Sequence, residues 1–322
     1  MKKIAILTSG GDAPGMNSVI RAVVRSAVKE NLQVTGIRRG YEGLISGDIE
    51  EMRADSVSDI SDHGGTMLLS ARCEEMRTEQ GLKRAYEMAK IFSFDALVVV
   101  GGDGSFTGAK KLSELGLNVI GIPGTIDLDM PYTEYTVGFD TAVNTGMEAI
   151  SKIRDTTFSH ERVSIVEVMG RNCGAIAMWC AVASGADEVL VPEVRDKKPE
   201  DVIKQILTNR AKGKKHNLIV VAEGIGKSQE LASKIEEITG ISSRATILGH
   251  LQRGGAPSAV DRIHGSAMGN FAVEILIAGE KNRAIMVKDG KYGHMDIEQA
   301  LEQTPVFDQS MYNRVRNLSL TG

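Results

Sequence analysis

The sequence predicts an α/β protein of two domains built on mainly parallel sheets, and three observations carry that fold class. Short apolar, β-branched runs recur along the chain, and most end in a glycine turn followed by a stretch with helical spacing. Several of the 35 glycines fall directly after those runs. The length, 322 residues, is more than one small core serves, so two domains are the natural division.

Lys3 to Thr8 reads as the first strand, and Ser9-Gly10-Gly11-Asp12-Ala13-Pro14-Gly15 as the turn at its end. Lys2 and Lys3 before Ile4 to Leu7 hint at a signal peptide, but the apolar run is too short and the glycines end it. The following helix places Met16, Val19, Ile20, Val23, Val24 and Ala27 on one face. Arg21 and Arg25 share its other face, where such a pair is usually just solvated. Gln33 to Ile37 is a second strand, followed by a glycine-broken region through Gly47. After Gly64-Gly65-Thr66 comes Arg72, either a phosphate contact or an ordinary surface arginine. A helix over Glu79 to Lys90 then leads to the third strand.

That strand, Val98-Val99-Val100, runs into Gly101-Gly102-Asp103-Gly104-Ser105. Ser105 is expected to cap a helix carrying Phe106, Ala109, Leu112 and Leu115. A helix N-terminus beside exposed glycine amides attracts phosphate, which the Asp103 carboxylate alone would repel. A Mg²⁺ between the two removes the conflict, so the turn reads as a metal–phosphate site or, more plainly, as a strand–turn–helix connection. Val119 to Ile122 is another strand, ending in Pro123-Gly124-Thr125-Ile126-Asp127-Leu128-Asp129. Strand ends after Thr8, Val100 and Ile122 are expected to line one crevice, with Asp103 as metal ligand and Asp127 as general base. Asp127 and Asp129 are equally common turn formers.

The alternation then repeats. A helix from Phe139 to Thr156 opens the second domain, followed by strand Val163 to Val168, turn Gly170 to Gly174, and helix Ala175 to Ala183. Glu188 to Val191 is a strand, Pro199 to Lys212 a helix with proline in its first turn, and Leu218 to Ala222 a strand. Glu223-Gly224-Ile225-Gly226-Lys227-Ser228 suggests a P-loop, but Val221 stands where that motif needs glycine. Strand Ala245 to Leu248 precedes Gly249-His250-Leu251-Gln252-Arg253-Gly254-Gly255, where an imidazole and a guanidinium on one loop suit a phosphorylated small molecule. A helix over Asp261 to Ala278 and a hairpin through Asp289-Gly290 complete the pattern.

A net charge of −4 gives no support for nucleic-acid binding, and no run is long enough to span a bilayer. Three cysteines, Cys73, Cys173 and Cys180, form no disulfide framework or metal-site spacing, which points to the cytoplasm.

Six segments in this order resemble the bacterial ATP-dependent 6-phosphofructokinase family: Thr8 to Asn17, Gly101 to Ser105, Pro123 to Asp127, Ser159 to Arg162, Met169 to Arg171, and Gly249 to Gly255. The resemblance spans Lys3 to about Leu320. It implies two Rossmann-like three-layer α/β/α domains: residues 1–138 with 251–301 for ATP and Mg²⁺, and 139–250 with 302–322 for the sugar phosphate. By it, Gly11, Arg72, Cys73, Gly102, Asp103, Gly104 and Ser105 hold ATP, with Asp103 on Mg²⁺. Asp127 takes the proton of the C1 hydroxyl of fructose 6-phosphate, Thr125 helps place the reacting groups, and Arg72 and Arg171 offset phosphoryl charge. Arg162, Arg244, His250 and Arg253 clamp the 6-phosphate, and Met169 and Glu223 contact the sugar. Ile126, Gly170, Leu251 and Gln252 complete the substrate set. The family pattern further implies a homotetramer, with Arg162 and Arg244 reaching a neighbouring subunit. It also implies an effector site for ADP or phosphoenolpyruvate from Arg21, Arg25, Arg154, Gly185, Ala186, Asp187, Lys212, Lys214, Lys215 and His216.

Four positions depart from that pattern. Leu128 stands where the family usually has asparagine, Ala175 where it has aspartate, and His63 and Ala54 where relatives place arginine. Leu128 cannot hydrogen-bond, so any support an asparagine gave Asp127 or Asp129 is lost. These departures motivate a catalytically weakened regulatory paralogue as a rival. Gly104 and Gly124 argue against a pyrophosphate-dependent enzyme, which resembles this pattern with aspartate and lysine there. The loop of His250 and Arg253, with the Arg162 segment, argues against an NAD or lipid kinase.

Overall fold

The computed structural model describes residues 1–319. The chain divides into two compact units. The first comprises Met1–Ile126, Met130–Thr141 and Arg253–Pro305, and the second Asp127–Asp129, Ala142–Gln252 and the segment from Val306 onward. The last three residues of the expected 302–322 segment lie outside the described residues.

The first unit is laid down by β1 (Lys3–Thr8), α1 (Met16–Lys29), β2 (Gln33–Ile37), α2 (Gly40–Ser46), β3 (Ile49–Met52), α3 (Glu79–Ile91), β4 (Ala96–Gly101), α4 (Asp103–Glu114) and β5 (Asn118–Pro123). The second unit holds most of α5 (Phe139–Ser159), then β6 (Val163–Val168), α6 (Ala175–Ser184), β7 (Glu188–Leu190), α7 (Pro199–Ala211), β8 (Asn217–Ala222), α8 (Ser228–Thr239) and β9 (Ser243–Ile247). The chain returns to the first unit for α9 (Ala259–Ile277), β10 (Arg283–Lys288), β11 (Lys291–Asp296) and α10 (Ile297–Leu301), and ends in α11 (Gln309–Leu318) of the second.

The larger sheet has seven strands in the order β11-β10-β5-β4-β1-β2-β3. β1 is flanked by β2 and β4, both parallel to it, so the order reverses between β1 and β4. That reversal opens a crevice at the carboxyl ends of these two strands. Alternation divides the strand residues between two faces. Ala5, Leu7, Leu97, Val99 and Val119 pack with Tyr41, Leu44, Ala85, Phe106, Ala109 and Leu112 of α2, α3 and α4. Ile4, Ile6, Val98 and Val100, equally buried, point to the opposite face, where α1 and α9 pair along their lengths. The smaller sheet is wholly parallel, in the order β7-β8-β6-β9. One of its faces is covered by α7 and α8 through Val202, Ile203, Ile206, Leu231 and Ile235.

The main elements match the sequence reading, with instructive differences. Ser105 does not cap α4: the helix opens at Asp103 after Gly102, and the Ser105 hydroxyl instead donates to the Ser9 carbonyl at 3.1 Å. The glycine-broken region contains α2, and the antiparallel edge strand β3 follows it, both too short for a periodic signal to mark. Helix α5 runs three residues beyond Thr156, and α9 starts earlier, where the Ser258 hydroxyl accepts the Asp261 amide at 3.2 Å. Helix α8, beyond the rejected P-loop, was not anticipated. In the β10–β11 hairpin, Asp289 (φ 50°) and Gly290 (φ 69°) both take the left-handed conformation that a two-residue turn needs.

Candidate active site

Each unit gathers its own share of the expected residues at strand ends. In the first unit β1, β4 and β5 lie side by side, which brings the turns after Thr8, Gly101 and Pro123 together. Gly101 admits no side chain, since a Cβ there would lie 2.5 Å from Ser105 Oγ and 2.6 Å from the Ser9 carbonyl. Asp103 and Gly104 open α4, and the first amides of a helix have no acceptor within it. Nothing lies within 4 Å of where a Gly104 Cβ would be, so the helix end is open. Thr125 is buried and within van der Waals reach of Gly102, where a Cβ would meet its Cβ at 3.7 Å.

The segment carrying Arg72 and Cys73 has no regular structure of its own, and β1 and α1 hold it. Thr8 Oγ1 donates to the Leu69 carbonyl at 2.8 Å, and Ser70 Oγ to the Gly10 carbonyl at 2.6 Å. The buried Asn17 amide donates to the His63 carbonyl at 3.1 Å and accepts the Met67 amide at 2.8 Å. Arg72 is left exposed beyond these anchors. Arg253 belongs with this unit rather than with the other expected 6-phosphate ligands. Its guanidinium lies over Gly11, where a Cβ would sit 2.6 Å from Nη1, and it donates to the Asp12 carbonyl at 3.1 Å. Sequence reasoning missed Tyr41, whose buried hydroxyl donates to the Ser105 carbonyl at 2.6 Å and whose ring covers Gly108. The only sequence trace was an aromatic residue in a stretch too short to read as a helix.

In the second unit the ends of β8, β6 and β9 are neighbours. They carry Glu223, Met169 to Arg171, and the segment of His250. Arg171 has a left-handed backbone (φ 55°), and its amide donates to Glu223 Oε1 at 2.7 Å. The far end of this turn is held by Glu193, whose Oε1 accepts the Gly174 amide at 2.8 Å. Helix α6 has no acidic residue in its first turn because Ala175 stands there, so Glu193 places the negative charge at that positive helix end. Gln252 is fully buried with both ends of its amide engaged: Oε1 accepts the Met169 amide at 2.7 Å and Nε2 donates to the Ala142 carbonyl at 3.0 Å. It orients Met169, while Leu251 beside it is exposed.

Asp127 is buried, and Leu128 after it has a left-handed backbone (φ 51°). Its carbonyl accepts the Cys173 thiol at 3.8 Å, linking the Asp127 segment to the Arg171 turn. Burial, chiefly, pushes the Cys173 thiol up to about 11, so it stays protonated and able to donate. Arg244 projects from the edge strand β9 and pairs with Glu236 at 3.0 Å. Ile126 and Gly170, also expected at the substrate, are respectively buried in the first unit and at the start of the Arg171 turn.

Of the expected effector residues, the second unit brings together Arg154, Gly185, Asp187, Lys214 and His216. Arg154 Nη2 donates to the Gly185 carbonyl at 3.1 Å, and Lys214 pairs with the buried Asp187, which also accepts the Leu218 amide at 2.9 Å. Burial first, then the charge of Lys214, holds His216 below its usual value. Lys215 turns to Glu161, and Ala186 is buried in the chain between Gly185 and Asp187. Lys212 ends α7. Arg21 and Arg25 are on α1 of the first unit.

The phosphofructokinase family profile matches residues 3–276. An ATP-dependent 6-phosphofructokinase of Clostridium botulinum is 56% identical over 319 residues, covering 99% of this chain and 100% of that protein. The Clostridium tetani enzyme of the same name is 54% identical over 322 residues, again with 99% and 100% coverage. Among solved structures, a phosphofructokinase from Saccharomyces cerevisiae superposes with a TM-score of 0.87 at 32% identity; the match covers all of this chain and 48% of the yeast chain. A pyrophosphate-dependent phosphofructokinase from Marinobacter aquaeolei, at 23% identity, has the same fold with a TM-score of 0.85 over 99% of this chain and 91% of its own.

Proposed function

Because the chain belongs to the phosphofructokinase family and is thus a phosphotransferase, we propose that it moves the γ-phosphoryl group of ATP onto the C1 hydroxyl of fructose 6-phosphate. The products are fructose 1,6-bisphosphate and ADP. The observation that carries this reading is the open, glycine-lined end of α4 at the strand-order reversal, with Asp103 at its start. On it the units divide as a nucleotide-binding and a sugar-phosphate-binding domain. Backbone amides after Gly11 and Gly102 receive the nucleotide phosphates, and Cys73 and Ser105 border them. The space around Gly104 favours a bulky nucleotide over pyrophosphate as donor.

The chemistry at Asp103 fits a magnesium ion. No three His, Cys, Asp or Glu side chains among the described residues cluster to hold a metal by themselves. Asp103 would hold a Mg²⁺ ion in company with the nucleotide phosphates, where the ion would neutralise phosphate charge. The chain supplies the rest. Asp127 accepts the C1 hydroxyl proton as that oxygen attacks phosphorus, and Thr125 orients the reacting groups. Arg72 and Arg171 balance charge on the transferring phosphoryl, the main requirement of a loose transition state. Glu223 and Met169 contact the sugar, and Arg162, Arg244 and His250 hold the 6-phosphate. Arg253, lying over Gly11, is placed for charge on the donor side as well.

Arg244 and the 60% exposed Ile247 project from β9, an edge strand of its sheet, which suits a surface that another copy of the chain covers. A homotetramer with ADP or phosphoenolpyruvate bound at the Arg154–Lys214–His216 cluster is the corresponding regulatory reading. No helix among the described residues is long and apolar enough to cross a membrane.

Product formation from fructose 6-phosphate and Mg²⁺, with ATP or pyrophosphate as donor, tests the proposal. Turnover with ATP alone is expected. Turnover with pyrophosphate alone overturns the donor assignment, and turnover with neither, while both substrates bind, favours the weakened paralogue suggested by Leu128 and Ala175.

A further inference from the structure

Asp261 enters the sequence reading only as the start of a helix, yet it is fully buried and accepts four hydrogen bonds. Oδ1 takes the Tyr135 hydroxyl and the Gly138 amide, both at 2.6 Å. Oδ2 takes the Thr141 amide at 2.8 Å and the Thr141 hydroxyl at 2.5 Å. Thr141 Oγ1 in turn accepts the Ser258 amide at 2.9 Å, which fixes the direction of its own proton toward the carboxylate. One turn further along α9, His264 stacks on the Tyr135 ring with centroids 3.9 Å apart and bonds Tyr292 through Nδ1 at 2.9 Å. All these residues belong to the first unit.

A helix cap for α5 would need only the Gly138 and Thr141 amides. The grip on Tyr135 goes further, because the segment it fixes pairs with the end of β5. The Val137 amide donates to the Pro123 carbonyl at 2.9 Å, and the Gly124 amide to the Gly101 carbonyl at 3.0 Å. Gly138 is so close to the neighbouring turns that a Cβ would lie 2.6 Å from the Ala13 Cβ and 3.2 Å from Ile126. A Cβ on Gly15 would meet Val137 at 2.7 Å and Asp261 itself at 3.3 Å.

We propose that Asp261 is a positioning residue for phosphoryl transfer, acting through residues 135–141 to fix the turns that carry Gly101, Gly124 and Thr125. The proposal rests on the kinase reading above. Displacement of reacting groups by a fraction of an ångström costs rate rather than affinity, so the effect belongs in kcat.

The test compares steady-state kinetics and thermal melting of Thr141→Val, Thr141→Ser, Tyr135→Phe and Asp261→Asn with the parent, below all their melting temperatures. Thr141→Val and Asp261→Asn are expected to lower kcat about tenfold with KM for both substrates within about threefold. Thr141→Ser keeps the hydroxyl and recovers most of the loss. Parental kcat in folded Thr141→Val and Tyr135→Phe overturns the proposal, whether or not Asp261→Asn folds. Hydrogen exchange at the Gly124 and Val137 amides reads the same link without catalysis. Faster exchange in Thr141→Val supports the link, and unchanged protection overturns it. An inactive parent sinks the kinase reading and leaves the exchange result to decide this one.

Discussion

In the first unit the groups proposed to face the nucleotide are mostly main-chain amides, fixed by close glycine contacts and hydrogen bonds such as those of Asn17, Tyr41 and Asp261. In the second unit, Arg171, Arg244 and His250 are exposed side chains at or just beyond strand ends, with the Arg171 backbone held by Glu223 and the Arg244 guanidinium paired with Glu236. The contrast follows from chemistry. A polyphosphate is bound well by preorganised amides that pay no side-chain entropy, whereas a sugar phosphate needs long, always-charged arms that close around it. Changes in the first unit should therefore cost stability and rate together, and changes in the second should cost substrate affinity with the fold intact.

The strongest test lies where the chain passes from one unit to the other, at Asp127. Asp127→Asn is expected to lower kcat by ~10²–10⁴-fold with a modest change in KM. Equal turnover in mutant and parent would remove Asp127 from the mechanism.

Next come paired substitutions, one per unit. Gly101→Ala forces a Cβ to within 2.6 Å of two oxygens and should destabilise the protein by about 1–3 kcal/mol, read as an earlier urea midpoint. Arg244→Ala removes an exposed side chain paired with Glu236 and, on the proposed role, a charge-assisted contact of about 1.5–3 kcal/mol to the sugar phosphate. KM for fructose 6-phosphate should rise with the melting temperature unchanged. If Arg244→Ala melts early while Gly101→Ala does not, the contrast is reversed.

How much of this was legible in the sequence follows the same division. Strand-end turns such as Gly101 to Ser105 announce themselves, because β-branched residues followed by glycines allow few other structures. The alternation of strand and helix was enough to expect the strand ends after Thr8, Val100 and Ile122 along one crevice, and β1, β4 and β5 do lie side by side. What stayed hidden depends on contacts between residues distant in sequence. Asp261 meets Tyr135 across 126 positions and Asn17 meets Met67 across 50, and no local period encodes either pair. Ser105 lies inside α4 rather than before it because the helix already opens at Asp103, and its hydroxyl donates to the Ser9 carbonyl, brought near only by the sheet. The sequence places Arg253 on one loop with His250, whereas the chain changes unit between Gln252 and Arg253, a boundary that no local pattern marks.

A smaller effect is expected at Leu128, whose left-handed backbone is strained for a side chain with no local hydrogen bond to offer. Leu128→Asn should stabilise the protein by about 1 kcal/mol, seen as a later urea midpoint. An earlier midpoint would mean that the packing of the leucine outweighs its backbone strain.

The smallest effects are in pH, and they again separate the units. Burial holds both His264 and His216 below their ordinary value of 6.5. Each therefore contributes stability that is complete above about pH 6.5 and is lost as pH falls toward its folded value. His264 is enclosed by Tyr135 and Tyr292, with Asp261 and Asp140 nearby, so its titration registers only in folding. His216 shares its surroundings with Lys214 and Arg154, both of which lower its pKa, and with Asp187, which raises it. An anion arriving there favours the imidazolium, so binding takes up a proton and tightens as pH falls toward the free-state pKa. Isothermal titration with ADP from pH 8 to 6 should show that tightening in the parent and in His264→Asn, and a flatter response in His216→Asn. Equal pH dependence in all three proteins would place the effector elsewhere, leaving the Arg154–Lys214–His216 cluster a purely structural feature of the second unit.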